Sequence, residues 1–127
     1  MNLYPFSSVD GVPFSASPEQ VRFSHGRPVR EGRNEVGLNE VDYEDIVFRF
    51  QDCGRLEEVT AQAPVLNLGT VAVPFDALES FVRCNDPSMF ERAGFLVSPK
   101  FGLAFDPQCP NWVTALAAHC LDEWRAL

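Results

Sequence analysis

The sequence predicts an α+β fold: a curved antiparallel sheet with helices packed on one face, in two pseudo-repeated halves that each run helix then strands. Three observations lead there. Val12-Pro13-Phe14-Ser15-Ala16 with Val21-Arg22 recurs as Val73-Pro74-Phe75-Asp76-Ala77 with Val82-Arg83, and six of the eleven aligned positions are identical. A repeated unit of this size implies a repeated piece of structure. A second echo comes after each copy in the same order: Ile46-Val47-Phe48-Arg49-Phe50 reads like Phe101-Gly102-Leu103-Ala104-Phe105. Finally, each copy of the first motif leads into a helix signal and each copy of the second alternates as a strand does. At 127 residues the chain is one domain, residues 1–127, with halves at about 9–63 and 70–127.

Residues 1–14 hold a short leading strand. Ser17-Pro18-Glu19 starts a helix, with Ser as N-cap, Pro at the first helical position and Glu in the first turn. Gly26 closes it and Pro28 prevents resumption. Residues 27–39 form a loop or weak strand. Val41 and Tyr43 share a strand face, then Ile46, Phe48 and Phe50 face one way while Val47 and Arg49 face the other. Gln51-Asp52-Cys53-Gly54 is a turn, and Arg55 to Ala63 pairs back. Within that strand Leu56 and Val59 point to opposite faces, which either a bulge or burial on both sides would reconcile. Leu66 to Val73 forms one further strand, broken at Gly69. A second helix runs from Pro74 or Asp76 to about Cys84, with Leu78, Phe81 and Val82 on one face. Asp86-Pro87 opens another short helix through Arg92. Phe95 to Val97 and Phe101 to Phe105 form a hairpin around Ser98-Pro99-Lys100. Trp112 lies in a Pro-bounded loop, and Thr114 or Ala115 to Leu127 is a final amphipathic helix.

The net charge is −8. Such a chain repels phosphate and is excluded as a nucleic-acid binder. No stretch approaches the ~20 apolar residues of a membrane span. Met1 to Phe6 carries no basic, apolar leader, so the expected address is the cytoplasm. There the four cysteines, none in a C-x-x-C pair, are expected to stay as thiols. Residues 31–60 hold nine acids against three arginines, so this block alone supplies −6 of the charge.

Catalytic chemistry finds little support. His119 and Cys120 are neighbours on a helix and point about 100° apart, so they cannot act as a pair. No nucleophile elbow, P-loop or dinucleotide fingerprint is present. The two histidines are distant, and no metal or other cofactor is expected. Glu57 and Glu58, adjacent in a strand, are expected on opposite faces. Asp42 and Glu44 share a face but have only Tyr43 beside them, without the cleft that paired glycosidase acids need. The acids suit a different task, the attraction of a basic protein. The expected contact residues are Glu40, Asp42, Tyr43, Glu44, Asp45, Val47 and Glu57, with Trp112 as an aromatic anchor. The alternative is a small-molecule or lipid-binding module with a Phe-lined pocket, since the chain has eleven phenylalanines.

The run GVPFSASPEQVRFSHGRP and, after it, EVDYEDIVFRFQDCGRLEEVT resembles the unit of the beta-lactamase-inhibitor-protein-like fold, and is similar to outer-membrane-assembly lipoproteins of the SmpA/OmlA type. The resemblance spans residues 11–60 well and 72–106 loosely. It implies a helix packed on a short antiparallel sheet, with tandem units joining into a longer sheet. In its acidity and lack of catalytic motifs the chain is also similar to small bacterial immunity proteins. That likeness implies a non-catalytic inhibitor, monomeric or weakly dimeric, that occludes a basic toxin or enzyme.

Overall fold

The computed structural model describes residues 1–127. Along the chain, β1 (Asn2–Tyr4), β2 (Ser8–Val9) and β3 (Val12–Pro13) precede helix α1 (Pro18–His25). Four strands come next: β4 (Arg30–Arg33), β5 (Asn39–Asp42), β6 (Ile46–Phe50) and β7 (Leu56–Gln62). A hairpin, β8 (Val65–Leu68) and β9 (Val71–Pro74), leads into α2 (Phe75–Asn85). Four more strands are β10 (Phe90–Arg92), β11 (Phe95–Ser98), β12 (Leu103–Phe105) and β13 (Trp112–Leu116), and α3 (Cys120–Ala126) ends the chain. The protein is thus a mixed α/β chain, mostly strand. No helix is long and apolar enough to cross a membrane.

The strands form two sheets. The larger is ordered β10-β11-β12-β13-β7-β6-β5-β4, two antiparallel meanders joined where β13 pairs with β7 from Trp112↔Gln62 to Leu116↔Glu58. The smaller is ordered β3-β2-β1-β8-β9, and β1 runs parallel to β8. Each of α1 and α2 is preceded by a strand of the small sheet and succeeded by one meander of the large one. Val12-Pro13 and Val73-Pro74 both end the strand that leads into a helix.

Local chemistry explains the helices. Ser17 and Gln20 cap α1 reciprocally: the Gln20 N–H donates to Ser17 Oγ at 3.2 Å and the Ser17 N–H to Gln20 Oε1 at 2.8 Å. Gly26, at φ +81°, ends that helix with its N–H on the Arg22 carbonyl. In α2, Leu78 and Val82 lie four residues apart and are both buried. Between the two sheets lies the main core, where Leu3, Val9, Leu66 and Val73 of the small sheet meet Val21, Leu78 and Val82 of the helices. The inner face of the large sheet supplies Phe48, Phe50, Val59, Leu103, Phe105 and Val113. Phe48, Phe50 and Phe105 are thus buried in this core, with Phe14, Phe75, Phe81 and Phe101 packed against it.

The other face of the large sheet carries a second, smaller cluster of Val97, Ala104, Leu116, Ala117 and Cys120, with Trp124 against it. Here the structure departs from the expectation that all helices share a face: α3 covers the face opposite α1 and α2. Further departures have local causes. The helix expected from Thr114 is strand β13, because its residues pair with both β7 and β12; helix begins only at Cys120. Trp112 accordingly opens a strand and is not in a loop. The expected helix after Asp86 is a turn and then β10, since Ala93 and Gly94, both at positive φ, reverse the chain into β11. Gly69 separates two strands that pair as a hairpin. Phe101 sits in the β11–β12 turn.

Strand β7 carries one irregularity. Arg49 pairs with Glu58 but Phe50 pairs with Leu56, so Glu57 is an extra residue, a β-bulge. The bulge lets Leu56 and Val59 both enter the main core. It also turns Glu57 and Glu58, expected on opposite faces, toward the same helix, α3, where Glu57 meets His119 and Glu58 meets Trp124.

Candidate functional site

The outer face of the large sheet is covered by α3 at one side only. Across the uncovered part, one row runs Asp42–Val47–Thr60–Thr114, each residue opposite the next on a neighbouring strand. Beside it Glu40, Arg49 and Glu58 form a second row. A third, toward the sheet's end, joins Gln62 to Trp112, and the Gln62 N–H donates to the Asp45 carbonyl at 3.1 Å. These rows floor an open groove of about 590 Å³ walled by Phe95, Asp106, Trp112 and Trp124. The Phe95 and Trp124 rings meet edge to face, 5.4 Å between centroids.

Arg49 organises the floor. Its side chain is only 19% exposed, donates to Glu40 Oε2 at 2.7 Å and to Thr60 Oγ1, and lies 3.5 Å from Glu58 Oε1. The Thr60 and Thr114 hydroxyls are 2.8 Å apart and extend the same network. A largely buried guanidinium needs such partners, and here it has carboxylates on two strands.

Six of the nine acids in residues 31–60 are paired: Glu31 with Arg22, Asp42 with Arg30, Asp52 with Arg33, Glu40 and Glu58 with Arg49, and Glu57 with Arg55 and His119. The block is therefore less of a free anionic field than its composition implies. Hydrogen bonding from the Glu44 N–H outweighs burial and, with Arg30, holds the Asp42 carboxyl below the ordinary range. Asn39 and Arg33 do the same for Asp52. Glu35, Glu44 and Asp45 are exposed and in no ion pair. Glu44 sits at φ +74° in the β5–β6 turn, where Asp42 Oδ1 accepts its N–H at 2.7 Å. The unpaired Glu44 and Asp45 thus lie at the Trp112 end of the sheet.

Of the eight expected contact residues, Glu40, Asp42, Val47 and Trp112 share the outer face, with Glu44 and Asp45 at its end. Two do not belong to it. Tyr43 packs inward, its ring against Phe48 and His25 and its hydroxyl donating to the Gly26 carbonyl at 2.9 Å. Glu57 is fully buried. Sequence reasoning put Arg49 on the Val47 face but not among the contact residues, and it missed Phe95 and Trp124 as members of the face.

Beside this groove, under α3, a second hollow of about 550 Å³ is lined by Glu58, Cys120, Glu123 and Trp124. Glu57 reaches the same region from the bulge. Its Oε1 accepts a hydrogen bond from His119 Nε2 and lies 3.5 Å from Arg55 Nε, while Oε2 has no partner. Burial and the surrounding carboxylates of Glu58, Glu57 and Glu123 push the Cys120 thiol far up. The other three cysteines are exposed thiols. Comparison of the chain with family models, with curated proteins and with solved structures finds no match.

Proposed function

We propose that the protein is a non-catalytic binding module that occludes a basic protein partner with the outer face of its large sheet. The observation that carries this reading is the uncovered groove itself, which combines two tryptophans, Phe95 and half-buried Val47 with an acidic border. Surface aromatic residues, tryptophan above all, are the side chains that specific protein interfaces favour, and here they stand around a floor of mutually paired charges. A net charge of −8, with Glu44 and Asp45 unpaired at the groove's end, steers a cationic partner and raises its association rate. Arg49 and its partners make the floor rigid before binding, which lowers the ordering cost.

In this reading the partner is a basic toxin or enzyme, and the chain is an immunity-type inhibitor acting as a monomer or weak dimer in the cytoplasm. The two helix-plus-meander units are then copies of one motif, as in the beta-lactamase-inhibitor-protein-like fold, with the first half supplying the charged floor of the working face and the second its aromatic walls. A small ligand is a second reading, favoured by the groove's volume, which falls in the range of small-molecule sites. Native mass spectrometry of protein purified from its own source separates them: a bound small molecule, absent from Trp112→Ala protein, would displace the first reading. The direct test is the affinity of the partner isolated on the tagged protein. Trp112→Ala and Val47→Arg should each weaken binding at least tenfold, while Phe23→Ser on α1 leaves it unchanged. Equal affinity for all three variants would overturn the assignment of the face.

A further inference from the structure

Glu57 Oε2 is an anomaly in an otherwise well-paired structure. The side chain has no solvent exposure, yet this oxygen has no hydrogen-bond donor. Buried carboxylate oxygens ordinarily have one, and burial of a charge without a partner is costly. The carboxylate is not isolated from other ligand-type atoms. One of its oxygens, Cys120 Sγ and a carboxylate oxygen of Glu123 lie within 4.8 Å of one another. Cys120 and Glu123 stand one turn apart on α3 and so share a face. Glu57 reaches them only because the bulge turns it toward α3.

We propose that Glu57, Cys120 and Glu123 form a binding site for one divalent transition-metal ion of the zinc(II) type. The donor set sorts the metals. One thiolate with two carboxylates suits a borderline-soft ion and disfavours magnesium and calcium, which take all-oxygen shells. Zinc bound at ~2.3 Å to sulfur and ~2.0–2.2 Å to oxygen needs tetrahedral ligand atoms ~3.5 Å apart. The three atoms must therefore close by up to about 1.3 Å, and the exposed Glu123 side chain is free to move. His119 holds Glu57 Oε1, the kind of contact that orients a ligating carboxylate. Three protein ligands leave a fourth position facing the hollow beside Trp124, open to water or to Glu58, whose Oε2 is 3.8 Å from Cys120 Sγ. On binding, the S–H proton leaves to solvent and the sulfur lone pair bonds the metal, with no change of oxidation state. A cation here also accounts for three carboxylates gathered around one buried thiol.

The site is independent of the proposed binding role of the sheet face. Its test uses cobalt(II) chloride alone, titrated into metal-free protein carrying Cys53→Ser, Cys84→Ser and Cys109→Ser, so that Cys120 is the sole thiol. The proposal expects a thiolate-to-cobalt charge-transfer band that saturates at one ion per chain and is bleached by zinc(II). Cys120→Ser should abolish the band. Glu123→Gln, at an exposed position that leaves the fold intact, should weaken binding at least tenfold. Absence of the band in the folded parent, or an unchanged titration in Glu123→Gln, would overturn it.

Discussion

Replacing Asp86 with alanine tests how α2 is fastened to the hairpin that carries Phe95. Asp86 ends α2, and its side chain is 1% exposed. Its carboxylate accepts from the Ser98 hydroxyl at 2.6 Å, the Ser88 N–H at 2.9 Å, the Lys100 N–H at 3.1 Å and the Ser88 hydroxyl. Hydrogen bonds to a charged acceptor are worth about 1.5–3 kcal/mol each. Ser88 and Lys100 are exposed and regain water in the variant, so most of their share is recovered. Ser98 is buried and cannot; its stranded hydroxyl alone costs about 1–3 kcal/mol. Adding partial losses from the other donors gives a destabilisation of about 3–4 kcal/mol. Equilibrium urea unfolding with an unchanged m-value measures it, and for a chain of this size the melting temperature should fall by roughly 10 °C. A loss below about 1 kcal/mol would refute the fastening role.

The same residue makes a pH prediction. Burial alone would raise the Asp86 pKa, but the hydrogen bonds from Ser88, Ser98 and Lys100 outweigh it and hold the carboxyl below its ordinary value of 3.8. A group depressed in the folded state contributes stability that is complete above the unfolded value and drains away as pH falls through the folded one. The stability gap between wild type and Asp86→Ala should therefore be constant near neutrality and narrow below about pH 4. A gap independent of pH down to acid unfolding would contradict this.

Other perturbations probe the sheet. Gly102→Ala places a Cβ 2.9 Å from Phe6 Cε1 at a φ of +62°, so clash and left-handed strain should together cost about 2 kcal/mol in urea unfolding. Wild-type stability in that variant would show that the turn and Phe6 yield freely. Arg49→Met leaves Glu58 largely buried without its cation and should destabilise by about 2–4 kcal/mol, again by urea unfolding; an unchanged midpoint would remove Arg49 as organiser of the groove floor. Raising salt from low to physiological strength should slow association with the basic partner in stopped flow while leaving dissociation nearly constant. A salt-independent association rate would dismiss steering.

The sequence was most legible where the signal is local. Ser17-Pro18 and Gly26 delimit α1 because caps are chosen by neighbouring backbone groups, and the alternation of Ile46 to Phe50 marks β6 because one face is buried. It was least legible where a distant strand decides. Trp112 to Leu116 fits a helix or a strand by composition, and only pairing with β7 and β12 selects the strand. The spacing of Leu56 and Val59 hinted at a bulge in β7, but the pairing with β6 decides that Glu57 is the extra residue and is buried. The ion pairs within residues 31–60 depend on register in the same way: Arg30 meets Asp42 and Arg49 meets Glu40 across strands, so charge counted along the chain overstated the free acidity. Trp124 was visible as a helix residue, but its place beside the groove results from α3 crossing to the second face.

The central claim, that the outer sheet face around Trp112 and Val47 is where the partner sits, is tested most directly by site-specific photo-cross-linking in cells of the protein's own source. A photoreactive phenylalanine analogue is placed at Val47 or, as a control, at Phe23 on α1, which is 92% exposed. The account predicts one discrete adduct with a basic protein from position 47, suppressed by excess wild-type protein, and none from position 23. Adducts from position 23 with none from position 47 would contradict it.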